Sequence, residues 1–306
     1  MALLKILDDR KRELTFGRAP TRVVSLVPSD TYTVARLGCA SALVGRTDYC
    51  ERPADEPNLS DWSNVPSIGG TKNPRLAEIK ALEPDLILAN QEENTRSDLE
   101  DLVQSGFRVY VAFPKRVADG LSHLARLARI FHLRGDAAVT AMMQQGYDAL
   151  NEAEAAAKLA SPLRTFCPIW MDPLMTVHGE TFISDMLAVA GAGNIFADRE
   201  RKYPLAADLG VAVPKPTPAG KDVRYPRVTM AEVNERAPEL ILLPDEPHPF
   251  SDEDAKVFAE EPTPAAKHKA IVRTSGKDLC WYGARSVEGI ARVRALVDAQ
   301  RNRYRA

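Results

Sequence analysis

The sequence predicts an α/β protein of two lobes, each built on a parallel sheet, joined by one long helix with a ligand cleft between the lobes. Three observations predict it. Short, nearly continuous apolar runs alternate with helical patterns in both halves, as strands covered on both faces of a parallel sheet require. The stretch from Val117 to Lys158 is helical in pattern, with one break, and separates the two alternations. Finally, Ala81–Glu92 (ALEPDLILANQE) and Glu235–Glu246 (ERAPELILLPDE) align without gaps as helix end, proline, acidic residue, Leu-Ile-Leu and further acids. That match predicts lobes of similar topology.

In the first lobe, Thr21–Val27 (TRVVSLV) reads as a strand that feeds a helix ending near Leu37-Gly38. Leu43–Gly45, Asp85–Ala89 and Arg108–Ala112 repeat the strand pattern, with helices starting at Pro74, where a missing N–H costs nothing, and near Arg96. Leu121, Leu124, Leu127 and Phe131 fall on one helical face, and Gly135-Asp136 breaks the pattern. The helix that follows, from Asp136 to Lys158, would span roughly 35 Å and reach from one lobe to the next. Beyond Ser161-Pro162, strands are expected at Arg164–Trp170, Glu239–Leu243, Ala270–Val272 and Asp278–Trp281, with helices at Thr181–Ala190 and from Ser286. The expected divisions are 1–115, a helical segment 116–160, and 161–306. Arg201–Arg227, rich in proline and charge, is too long for an ordinary connection and reads as a surface excursion.

Composition narrows the function classes. With 306 residues, 45% apolar and 27% charged, the chain can bury a large core and is not disordered. A net charge of −2 without a long basic block gives no footprint for nucleic acid, and no apolar run approaches the roughly 18 residues of a membrane span. Charges begin at Lys5, and no apolar stretch of roughly 7–15 residues suited to a secretory leader follows. The expectation is a cytoplasmic protein, or a periplasmic one if a leader has been removed. Four scattered cysteines, Cys39, Cys50, Cys167 and Cys280, fit neither a disulfide framework nor a zinc ribbon and suit a reducing compartment.

No H-E-x-x-H, G-x-S-x-G or Walker A motif is present, and Gly191-Ala192-Gly193 follows a helix, with Phe196 where a dinucleotide loop needs its third glycine. In parallel sheets, ligands lie beyond the carboxyl ends of the strands, so the residues there are the candidates. Trp62, Trp170 (followed by Met171 and Asp172) and Trp281 all fall there, with Tyr49, Tyr225 and Tyr282, and aromatic rims suit a flat apolar ligand. Glu92, Glu93 and Asn94 follow one strand; Asp245 and Glu246, with His248 nearby, follow its counterpart. These acids offer general acid–base groups for an enzyme, or solvated loop charges in a binding protein. Cys50, Cys167 and Cys280 with His178 or His248 offer a soft-metal alternative, against buried inert thiols. Lys72, Arg201, Arg224 and Arg285 can grip a carboxylate or phosphate.

At these residues the sequence resembles the helical-backbone metal receptor superfamily, the class III substrate-binding proteins that capture cobalamin, haem or ferric siderophores for ABC importers. The likeness is carried by RVVSLVPSDTYTVARLG from Arg22, VGRTDYCERP from Val44, IGGTKNP from Ile68, AEIKALEPDLILA from Ala77 and GNIFAD from Gly193. FCPIWMDPLMTVHGETF from Phe166, RYPRVT from Arg224, LLPDEPHPF from Leu242 and WYGARS from Trp281 resemble a cobalamin-binding subgroup. The resemblance implies two Rossmann-like lobes bridged by one helix, and non-enzymatic capture of a corrinoid or similar chelate without an intrinsic cofactor. It also implies a cleft lined from the segments of Tyr49, Asn73, Trp170, Arg224, Tyr225 and Trp281, and the chain is expected to be a monomer. Relatives that serve importers offer a permease one glutamate from each lobe; Ala77 and Ala188 stand at those positions here, so docking is not expected. Glu78 is adjacent to Ala77 but points roughly 100° away along a helix.

Overall fold

The computed structural model describes residues 3–53 and 62–304. The chain divides into two compact units: Met1–Pro114, Ala118–Tyr147 and Trp281–Val287 form the first, and Lys115–Val117, Asp148–Cys280 and Glu288–Ala306 the second. Ten strands are present among the described residues, namely β1 (Leu4–Leu7), β2 (Glu13–Phe16), β3 (Val23–Ser25), β4 (Leu43–Gly45), β5 (Leu86–Asn90), β6 (Val109–Ala112), β7 (Leu163–Phe166), β8 (Ala192–Asn194), β9 (Leu240–Pro244) and β10 (Ile271–Thr274). The strands β1 and β2 form an antiparallel hairpin. All other pairings are parallel, in the orders β4-β3-β5-β6 and β10-β9-β7-β8. Read from the second strand of each unit, both sheets run second-first-third-fourth, and the protein is α/β with two parallel-sheet units.

The aligned segments occupy equivalent places, and the same contacts hold them. Each places a left-handed residue, Glu83 (φ 45°) or Ala237 (φ 43°), before its proline and a fully buried strand, β5 or β9. Arg22 Nε donates to the carbonyls of Leu82 and Glu83, while Asp85 accepts the Arg22 N–H at 3.0 Å. In the second unit Arg164 donates to the carbonyls of Arg236 and Ala237, while Glu239 accepts the Arg164 N–H at 2.9 Å. One arginine and one acid thus fasten the start of the first strand to the turn before the third, twice over.

The helices follow the apolar periodicity. Val117–Ile130 buries Leu121, Leu124 and Leu127, and Phe131 lies just beyond its end. After the expected break comes Ala137–Ala157, 21 residues long, whose part up to Tyr147 belongs to the first unit and whose remainder belongs to the second. Helix starts are set by side-chain caps: Thr95 before Arg96–Gln104, Thr181 before Phe182–Val189, and the reciprocal pairs Thr229/Glu232 and Ser251/Asp254. In the second unit, Phe166, Phe196, Phe250 and Phe258 close around Ile241 and Leu243, with the Phe166 ring 5.4 Å from Phe196 and 6.0 Å from Phe258.

Several expectations are corrected. Gly276–Cys280 is helical, not the start of a strand, and Trp281–Val287 joins the first unit, not the second lobe. Ala192–Asn194, where no strand was expected, is the edge strand β8, and Phe196 is a core residue. The helix after Pro74 begins at Leu76, because Pro74 bridges back to Gly69. Arg201–Arg227 is mostly exposed but anchored: buried Asp208 receives Arg199 Nη1 at 2.9 Å and the Arg227 N–H at 2.7 Å.

Truncating Phe166 empties the centre of the second unit's core. Phe166→Ala is expected to lower stability by about 3–5 kcal/mol, measured by urea unfolding followed by circular dichroism.

Candidate ligand-binding site

The carboxyl edge of the first sheet brings together Tyr49, Lys72, Asn73 and Glu92. A Cβ at Gly70 would lie 3.4 Å from the Tyr49 ring and run into Asn73 Oδ1, so only glycine lets these two side chains close over the loop. Tyr49 is 64% exposed. Lys72 Nζ donates to the Glu92 carbonyl, tying the 69–73 loop to the loop after β5. Asn94 fixes both from beneath: Nδ2 donates to the carbonyls of Thr71 (2.9 Å) and Leu26 (3.2 Å), and Oδ1 accepts the Asn90 N–H at 2.8 Å. Glu92 and Glu93 are half-buried on this loop.

At the carboxyl edge of the second sheet, the loop after β7 folds back on itself, with the Met175 N–H donating to the Trp170 carbonyl at 3.0 Å. Trp170 stands at this turn, 43% exposed, and its Nε1 donates to the Asp172 carbonyl at 3.0 Å. His248, from the loop after β9, meets Trp170 edge-on at 5.5 Å and Phe250 at 4.6 Å, with Nε2 3.6 Å from Asp254 Oδ2. Asp245 Oδ1 accepts the Gly276 N–H at 2.7 Å, and Cys280 Sγ lies 3.2 Å from Glu246 Oε1.

Other candidates are placed differently. Trp62, Asn94, Trp281 and Tyr282 are buried; Trp281 packs edge-on against Tyr32 at 6.0 Å and plugs the first unit's core. Asn94 and Tyr282 act through internal hydrogen bonds. Arg285 lies over the Tyr32 ring at 5.8 Å. Arg224, 9% exposed, is clamped by Asp222 through bonds of 2.9 and 2.5 Å and stacks over Tyr225 at 5.6 Å, so it orders its own segment. Met171 turns inward against the phenylalanine core.

Cys50 lies in the first unit, and Cys167 and Cys280 in the second. Among the described residues no group of three or more His, Cys, Asp or Glu is placed to hold a metal ion. Burial pushes the Cys167 thiol up to about 12 and Cys39 to about 11, and raises Cys50 too, although Cys50 is bonded to Thr31 and Thr47. Sequence reasoning missed the buried polar group under the first unit's loop, Asp30, His123 and Tyr110. The available signal was a histidine on the apolar face between Leu121 and Leu124.

A family model described as periplasmic binding protein matches residues 23–276. The chain belongs to this family. Vitamin B12-binding proteins of Yersinia pestis and Photorhabdus laumondii are 30% and 29% identical to it over 65% of this chain and 69% of theirs. Two solved structures share its fold. The periplasmic vitamin B12 binding protein BtuF of Vibrio cholerae has a TM-score of 0.70 at 18% identity, covering 92% of this chain and 98% of that one. The periplasmic heme-binding protein RhuT from Roseiflexus has a TM-score of 0.68 at 18% identity, covering 93% and 100%. Family and relatives are binding proteins and not enzymes, so the loop acids are not read as acid–base groups. No helix among the described residues is long and apolar enough to cross a membrane.

The thiols give a pH test. A raised thiol pKa keeps the thiolate scarce below it, and thiolate is the reacting form. Alkylation of half-buried Cys39 by iodoacetamide is expected to quicken about tenfold per pH unit between pH 8 and 10, where a free thiol near 8.5 levels off. Mass spectrometry of the labelled peptide checks this.

Proposed function

We propose that this protein is a receptor for a metal chelate, most readily a corrinoid, bound through exposed aromatic side chains on its carboxyl-edge loops. The observation that carries the reading is the pair of exposed aromatic side chains on those loops, Tyr49 at 64% and Trp170 at 43%, in a family whose relatives include vitamin B12-binding proteins. Large rings left exposed at the ligand end of a parallel sheet suit a broad, partly apolar molecule. Lys72, Asn73 and the half-buried Glu92 and Glu93 supply polar clamps for such a ligand's side-chain amides. A chelate brings its own metal and asks the chain for no ligand set or intrinsic cofactor.

Periplasmic relatives support the same location here, in place of the cytoplasmic expectation. Docking to a permease through paired glutamates is not part of the proposal. Ala77 and Ala188 are both exposed, and neighbouring Glu78 is ion-paired with Arg75 at 2.6 Å.

The direct experiment is titration with cyanocobalamin by equilibrium dialysis, with hemin in parallel because heme-binding proteins share the fold. Saturable cyanocobalamin binding at micromolar or lower concentration supports the reading; hemin binding alone moves the ligand to a haem, and failure of both overturns the receptor reading. Tyr49→Ala and Trp170→Ala are each expected to weaken binding by about 1–3 kcal/mol while leaving the circular dichroism spectrum intact.

A second measurement concerns the permease. The unmodified protein is expected to show no measurable association with a cobalamin-type permease in surface plasmon resonance. Ala77→Glu with Ala188→Glu should recover part of the roughly 2–5 kcal/mol that a desolvated charge pair represents.

A further inference from the structure

Beneath the loop after β5 runs a line of buried polar groups that chelate binding does not itself require. Asp30, in the first turn of the helix Pro28–Arg36, has no exposure, and neither has His123. His123 Nε2 lies 2.6 Å from Asp30 Oδ1, Tyr282 Oη lies 3.4 Å from Asp30 Oδ2, and Tyr110 Oη lies 3.5 Å from His123 Nδ1. Asn90, the last residue of β5, donates from Nδ2 to Tyr282 Oη at 3.1 Å. Burial holds the Tyr282 phenol protonated.

The donor and acceptor inventory gives this line a direction. With the Asp30 carboxyl oxygens accepting, one O–H comes from Tyr282 and one N–H from His123, whose Nδ1 is left to accept from Tyr110. The lone pairs of Tyr282 then face Asn90, so the amide must turn its NH₂ inward and its oxygen toward the loop. There Asn90 Oδ1 accepts the N–H of Glu92 at 2.7 Å and of Glu93 at 3.3 Å. A flipped amide would set donors against both N–H groups. Glu92 is also the residue whose carbonyl Lys72 grips.

We infer that Tyr282 is a positioning residue for chelate binding: buried beneath the loop, its hydroxyl fixes the Asn90 amide, and through it the Glu92–Glu93 backbone that meets the ligand. The inference rests on the chelate reading for its consequence in binding, but not for the loop's order. Tyr282→Phe isolates the hydroxyl, because the ring keeps its edge-on contact with His123 at 5.1 Å.

The test measures amide hydrogen exchange and cyanocobalamin affinity on the full chain. In Tyr282→Phe, exchange at Glu92 and Glu93 is expected to rise about tenfold while Ile87 and Leu88 stay protected, and affinity should fall about tenfold. Tyr110→Phe, at the far end of the line, should change neither. Asn90→Ala should reproduce both losses, and the double variant should add nothing further, since the two residues act as one unit. If Tyr282→Phe does not fold, Asn90→Ala, which leaves the partners of Asp30 in place, carries the same expectation. Unchanged exchange at Glu92 and Glu93, or additive losses in the double variant, would overturn the inference. If the unmodified protein binds neither cyanocobalamin nor hemin, the receptor reading fails, and the exchange measurement alone still decides whether Tyr282 orders the loop.

Discussion

An acidic side chain with no access to water must find its hydrogen-bond partners inside the protein, because removing one leaves a buried polar group unsatisfied at a cost of about 1–3 kcal/mol or more. Asp30 imposes this on the first unit. Its partners come from two other elements, His123 on the helix Val117–Ile130 and Tyr282 on a segment more than two hundred residues later. Meeting the requirement draws all three into one body. The same segment is seated by a second device: Gly283 adopts a left-handed φ of 77°, and a Cβ there would overlap the Thr33 hydroxyl, which accepts the Ala284 N–H at 3.1 Å. The candidate loop above, with Glu92 and Glu93, inherits its position from this foundation through Asn90.

The two sheets divide their labour between their ends. At the amino ends, Arg22 with Asp85 and Arg164 with Glu239 repeat one arrangement, down to the left-handed residue before each proline. At the carboxyl ends nothing repeats: the first unit presents Tyr49, Lys72 and Asn73 over an amide-ordered loop, whereas the second presents Trp170 against His248 and Phe250. The frame is shared and the rims are unlike.

The frame was legible in the sequence because β3, β5, β6 and β9 are apolar runs between clear punctuators, and because the Pro84 and Pro238 segments keep their pattern intact. Edges were less so. Ala192–Asn194 carries too little apolar character to announce a strand, and Asp278–Cys280 belongs to a short helix whose state is chosen by packing and not by period. At the candidate site, sequence could not separate rim from core. Trp62, Trp170 and Trp281 look alike beside strand ends, yet only Trp170 is substantially exposed, because exposure is decided by what distant elements bring against each ring. The Asp30 line was harder to see for the same reason: apart from a histidine on an apolar helix face, its members are single residues in separate, otherwise ordinary elements.

The late arrival of Trp281–Val287 also sets a clock on biosynthesis. A ribosome that has released Tyr147 has delivered every other piece of the first unit, yet the hydroxyl that completes the Asp30 site is still uncoded into chain. At about 5–20 residues per second, the intervening stretch takes on the order of ten seconds to emerge. Throughout that interval Asp30 lacks its Tyr282 partner, which arrives only after nearly all of the second unit has been made.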